Sequence, residues 1–155
     1  MHGTKYGAAL RALVQRVREA SVAVGDGDVG RIGKGYLVLL GIRKGDTPEA
    51  AAALARKVAE LRIFNDEAGK MSRSLADVGG SVLVVSQMTL YGDVSKGRRP
   101  SFDAVAPGAE AEPLYEAFLA GLRAAGCPLE TGRFGAMMDV ALVNEGPVTF
   151  MLELD

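Results

Sequence analysis

The chain has 155 residues, enough for one domain with a sizeable core. Hydrophobic residues make up 48% and charged residues 24%, a globular balance, and no apolar run approaches the roughly 20 residues a membrane helix needs. A formal net charge of -1 gives no general hold on DNA or anionic membranes, and one cysteine with one histidine rules out an intrachain disulfide and a four-ligand zinc centre.

Residues 1–9, MHGTKYGAA, carry neither a secretory apolar core nor any periodic pattern. They read as a tag or overlong start, disordered, with one domain running from residue 10 to 155. His2, the only histidine, is set aside with them. From Ala12 to Gly25 the sequence ALVQRVREASVAVG holds two alternating, β-branched stretches, which predict strands. GDGDVG (25–30) is formally G-x-G-x-x-G. A phosphate loop must open a helix, however, and here RIGKGYLVLLGI follows, so the segment predicts a hairpin turn.

DTPEAAAALARKVAELRIF predicts the first helix, capped by Asp46 or Thr47, with Pro48 in the first turn and Leu54, Val58 and Leu61 on one face. NDEAGKMSRSLADVGG reads as a polar connection, and SVLVV (81–85) as a buried strand. Gly92 to Pro113 reads as a long loop clustering Lys96, Arg98 and Arg99. EAEPLYEAFLAGLRAAG predicts a second helix ended by Gly126. The final runs, MDVALVN and VTFMLEL, are two strands separated by Glu145-Gly146-Pro147. Two helices able to cover one face of hairpin-connected strands imply a layered α/β domain with largely antiparallel sheet.

Two segments have polar residues where chemistry is carried. In SQMT, the end of a buried strand offers the hydroxyls of Ser86 and Thr89, the amide of Gln87 and main-chain N–H groups. The same residues serve equally to satisfy the backbone where a strand ends. NEGPVT (144–149) reads either as an ordinary turn or as a site, since X-Pro bonds are where cis peptides occur. Arg98 and Arg99 suit phosphates or plain solvent, and Cys127 suits a small buried position.

Taken together, QRVREASV, SQMTLYG, RRPSF, TGRF and LVNEGPVTF, in that order from Leu10 to Leu154, resemble the D-aminoacyl-tRNA deacylases. The resemblance implies a homodimer of three-layer β/β/α sandwiches that hydrolyses the ester of D-aminoacyl-tRNA or Gly-tRNA, in the cytoplasm and without cofactor or metal. It places the Ser86–Thr89 segment, with Gln87, Met88 and Thr89 catalytic, against a cis Gly146–Pro147 filter of the partner subunit. The 3′ end of the tRNA lies between them. Arg16 would fix the filter's orientation.

Without a histidine base, the oxyanion falls to N–H groups around Gln87 and Met88, and the proton to the 2′-OH of the terminal adenosine. Thr89 as nucleophile is the rival. Met88 departs from the Phe of the common bacterial pattern. Two other readings are a related enzyme with a trans Gly-Pro acting on mischarged L-Ala-tRNA, and a noncatalytic RNA-binding dimer.

Overall fold

The computed structural model describes residues 9–154, so the start set apart above lies outside the described residues except for Ala9. The elements are β1 (Ala9–Val24), β2 (Gly27–Ile32), β3 (Gly35–Gly41), α1 (Pro48–Glu60), β4 (Phe64–Asn65) and β5 (Met71–Arg73). After them come α2 (Leu75–Val78), β6 (Ser81–Ser86), a 3₁₀ turn at Met88–Tyr91, α3 (Gly108–Ala124), β7 (Leu129–Thr131) and β8 (Asp139–Leu154).

Strand β1 organises the sheet. It pairs antiparallel with β3 along Arg11–Val17, with β2 along Ala20–Val24, and with β8 along its other edge. Beyond β3 the order continues through β6 and β7, both parallel. Parallel neighbours need long crossovers. Helix α1 lies within the first, and α3 within the second. The two helices pack closely because Gly121 has no side chain: a Cβ there would lie 2.7 Å from that of Ala55.

Three layers result, with apolar residues on both sides of the central strands. Tyr36, Val38, Leu40, Val82 and Val84 face α1 and α3, while Leu37, Leu83 and Val85 face Val17, Ala20, Val22 and Ile32. Burial on both faces explains why YLVLL and VLVV are continuous rather than alternating. The sheet curls almost into a barrel, with β2 so near β7 that a Cβ on Gly30 would lie 2.5 Å from the Thr131 carbonyl oxygen.

The hairpin at Gly25–Gly30 forms as expected, with Gly25 at φ +61 and no helix following, so no phosphate cradle arises there. Thr47, not Asp46, caps α1, accepting from Ala50 N. Asp46 instead binds Arg43 in a buried ion pair at 3.2 Å. The segment read as a polar connection holds the end of β4, then β5 and α2, the last with a Ser74–Asp77 capping box. The two alternating stretches before Gly25 are one strand, and so are the two final runs. Helix α3 starts at Gly108 and includes Pro113, so the loop after Gly92 is shorter than its composition suggests.

Candidate active site

The polar end of β6 is placed by its neighbours. Gln87 N donates to Leu40 O at 2.8 Å, extending the β3 ladder one residue past Ser86. The chain then winds into the 3₁₀ turn, where Leu90 N donates to Gln87 O and Gly92 N to Thr89 O. The first N–H groups of any helical turn lack intrahelical acceptors. Here, among the described residues, those of Met88 and Thr89 have none, whereas that of Gln87 is already committed. Neither hydroxyl serves the backbone. Thr89 Oγ1 accepts from the Gln87 side-chain amide, and Ser86 Oγ makes no hydrogen bond among the described residues.

Two features fix the turn from behind. Arg11 Nη1 donates to Leu90 O at 2.7 Å, and its guanidinium lies 4.5 Å from the centre of the Tyr91 ring. Gly41 lets the turn approach β3, since a Cβ there would lie 2.8 Å from Leu90 Cβ. Burial pushes the Tyr91 phenol well above its ordinary value, with the Asp46 carboxylate adding to it, so it stays neutral. In front of the turn a mainly apolar cavity of about 450 Å³ is lined by Ser86, Met88, Ile42, Phe102, Phe134 and Met138. That is room for a nucleoside-sized group.

The second segment is a bulge in β8. Thr149 pairs with Gln15 and Asn144 with Val17, so the residues from Glu145 to Val148 are extruded opposite Arg16 alone. The Gly146–Pro147 bond within it is cis, and Gly146 sits at φ +127, in glycine's territory. Asn144 closes the neck, accepting from Val148 N and donating to Thr149 Oγ1, each at 3.1 Å.

Arg16 is 6% exposed. Its Nη1 donates to Ile63 O at 2.9 Å and Asn65 Oδ1 at 3.1 Å, while Nε donates to Glu145 O at 3.2 Å. The Glu145 carboxylate adds an ion pair at 3.5 Å. The planar fork thus ties β4 to the bulge. Asn65, Asn144 and Thr149 are absent from the sequence expectations; the last two stand inside the quoted NEGPVT, but nothing local marks Asn65.

The profile described as D-Tyr-tRNA(Tyr) deacylase matches residues 13–153. The chain belongs to the D-Tyr-tRNA(Tyr) deacylase family. It is 63% identical to the D-aminoacyl-tRNA deacylase of Thermomicrobium roseum over 93% of this chain and 94% of that one. With the Thermus aquaticus deacylase it shares 60% identity over 93% and 95%. Among solved structures, one titled c-Myc DNA Unwinding Element Binding Protein superposes at TM-score 0.87 with 44% identity, covering 94% of this chain and 99% of its own. A probable eukaryotic D-amino acid tRNA deacylase at 22% identity shares the fold, at TM-score 0.82 over 94% and 100%. As a member of this deacylase family, the chain is a hydrolase acting on D-aminoacyl-tRNA.

Within one deacylase chain the two segments stay apart. Arg11 holds the turn and Arg16 the bulge, five residues along β1, or roughly 17 Å of strand. Neither Gly146 nor Pro147 lines the cavity beside Ser86 and Met88. Elsewhere, half-burial raises the Cys127 thiol above its ordinary value, which keeps it protonated and a poor nucleophile. No helix among the described residues is long and apolar enough to cross a membrane.

Proposed function

We propose that this deacylase is a chiral proofreader of the cytoplasm. It would release D-amino acids and glycine from tRNA and spare L-aminoacyl-tRNA, working as a homodimer in which the Gly146–Pro147 bulge of one subunit covers the Ser86–Thr89 segment of the other. The reading rests chiefly on Arg16, a buried cation whose fork spends its donors on main-chain and amide oxygens around the bulge. Such a clamp is what a filter made of main chain requires, because its oxygens discriminate only if they cannot shift.

A main-chain obstacle at the Cα hydrogen position of a D-substrate rejects an L side chain and leaves a D side chain unread. Breadth over D-amino acids follows, and so does passage of glycine, which has nothing to reject. Gly146, Pro147, Ser86 and Arg16 would form the binding side. On the reacting side, the N–H groups of Met88 and Thr89 are the oxyanion donors, since that of Gln87 is occupied by Leu40. Gln87 holds the Thr89 hydroxyl. With no carboxylate or imidazole hydrogen-bonded to that hydroxyl among the described residues, the substrate's own 2′-OH takes the proton role. Met88, half exposed at the cavity mouth, supplies an adaptable apolar wall for the terminal base.

A dimer suits the outer edge of β8. Among the described residues this 16-residue strand pairs only with β1, and it exposes Val140, Val143, Phe150 and Met151. A long apolar edge left open invites pairing. The deciding experiment compares hydrolysis of D-Tyr-tRNA, L-Tyr-tRNA and Gly-tRNA, alongside the mass in solution of the wild type and of F150E. Cleavage of the D and glycyl esters alone, by a dimer that F150E splits and inactivates, is expected. Release of L-amino acids, or full activity from a monomer, sinks the reading.

A further inference from the structure

We infer that the loop at residues 92–104 is a built cationic tongue that grips the phosphates of the acceptor end of the tRNA, the part of the substrate leading into the cavity. The inference rests on the deacylase reading above and extends it to a surface which that reading does not use.

The loop is pinned at its root. Asp93 N donates to Ser101 O and Ser101 N to Asp93 O, both at 2.7 Å, forming an isolated antiparallel bridge. On the returning side, Lys44 N donates to Ala104 O at 2.9 Å, Ala106 N donates to Ile42 O, and Arg43 bridges Val105. On the outgoing side the loop leaves the 3₁₀ turn directly through Gly92. The Phe102 ring lies so near that a Cβ on Gly92 would meet it at 3.2 Å. Phe102 also lines the cavity with Met88. The tongue therefore has a fixed position relative to the site.

Its tip carries Lys96, Arg98 and Arg99, all exposed, around Gly97 at φ +70. None of the three makes an ion pair among the described residues. The Asp93 carboxylate at the root is held below its ordinary pKa first by the Ser95 hydroxyl and then by the Ser95 main-chain N–H, with Lys96 a smaller influence. Three cations thus stand two or three residues beyond the root, within roughly 10 Å of it. In a chain of net charge -1 they form a local positive patch on a loop whose root residue Phe102 lines a cavity sized for a terminal nucleoside. A polyanion whose 3′ end enters that cavity has its next phosphates at this distance. Main-chain and guanidinium donors that position a backbone without reading bases fit an enzyme acting on many tRNAs.

The test is the salt dependence of kcat/KM on D-Tyr-tRNA for the wild type, for K96A/R98A/R99A and for R98K/R99K, with the D-tyrosyl ester of adenosine as a substrate lacking phosphates. Each phosphate left without its cation flattens the fall in activity by about threefold over a fourfold rise in salt. The triple alanine variant should show a raised KM for the tRNA and a shallower slope, with its rate on the adenosine ester unchanged. R98K/R99K should keep the slope. Identical slopes for the wild type and the triple variant overturn the tongue, and so does an equal loss on both substrates, which would place its effect in the cavity through Phe102. A wild type that cleaves neither substrate instead overturns the deacylase reading on which the inference stands.

Discussion

Arg16 Nε donates to the main-chain oxygen of Glu145, 129 residues away in sequence, while Nη1 of the same guanidinium reaches Ile63 and Asn65. One buried side chain thereby fixes the bulge bearing Gly146 and Pro147. Replacing Arg16 by Ala strands these oxygens and should cost about 2–4 kcal/mol of stability by urea titration. Arg16→Lys keeps the charge but not the fork. The lysine variant should remain folded and lose at least about tenfold in the D-to-L ratio of kcat/KM. An unchanged ratio would remove Arg16 from the selectivity.

Gly41 meets the 3₁₀ turn where no side chain fits. In Gly41→Ala the new Cβ would press on Leu90 Cβ at 2.8 Å and Tyr91 Cδ2 at 3.3 Å, so the turn must shift. Overpacking of this kind costs about 1–3 kcal/mol. The displaced N–H groups of Met88 and Thr89 should lower kcat by about tenfold or more, with KM less affected. Circular dichroism and steady-state kinetics on one preparation check both.

Thr89 Oγ1 is an acceptor for the Gln87 amide, and among the described residues no carboxylate or imidazole hydrogen-bonds to it. Thr89→Ala should keep activity within about tenfold of the wild type, and rapid acid quench of the wild type should trap no acyl-enzyme. An acyl-threonine, together with complete loss in the alanine variant, would make Thr89 the nucleophile.

Acid stability should fall in two exposed turns. The Ser72 hydroxyl and the N–H groups of Lys70 and Ala68 hold the Asp66 carboxyl below its ordinary 3.8. The N–H of Ser74, then its hydroxyl, does the same for Asp77. A folded pKa below the unfolded one adds stability that is present above about pH 4 and lost as pH falls through the folded value. D66N/D77N should therefore be less stable than the wild type at pH 6 and closer to it at pH 3, as urea midpoints at the two pH values would show.

Local patterns made much of this fold legible. The hairpin after Val24 was readable because no helix follows its glycines, and α1 because Pro48 and Glu49 mark its start. The family and its layered sandwich were readable because five segments kept their order. What escaped depended on distance in sequence or on partners. Asn65 looks like any turn residue until Arg16 arrives from β1. The Ser74–Asp77 box was present in SLAD but overshadowed by the polarity around it. Glu145-Gly146-Pro147 resembles a turn between strands, yet Asn144 and Thr149 keep β8 continuous and extrude it as a bulge. Gln87 illustrates a further limit: a strand end suggests free N–H groups, and only the ladder to Leu40 reveals which one is already used.

The five-residue step from Arg11 to Arg16 has a consequence for how this family can vary. Removing one residue there turns every later side chain of β1 to the opposite face. Removing two restores the faces but draws the anchors of the turn and the bulge about 7 Å closer. Drift in this stretch is thus confined to substitutions, whereas the tip of the 92–104 loop, beyond its bridge, can lengthen or shorten without altering the spacing between the two anchors.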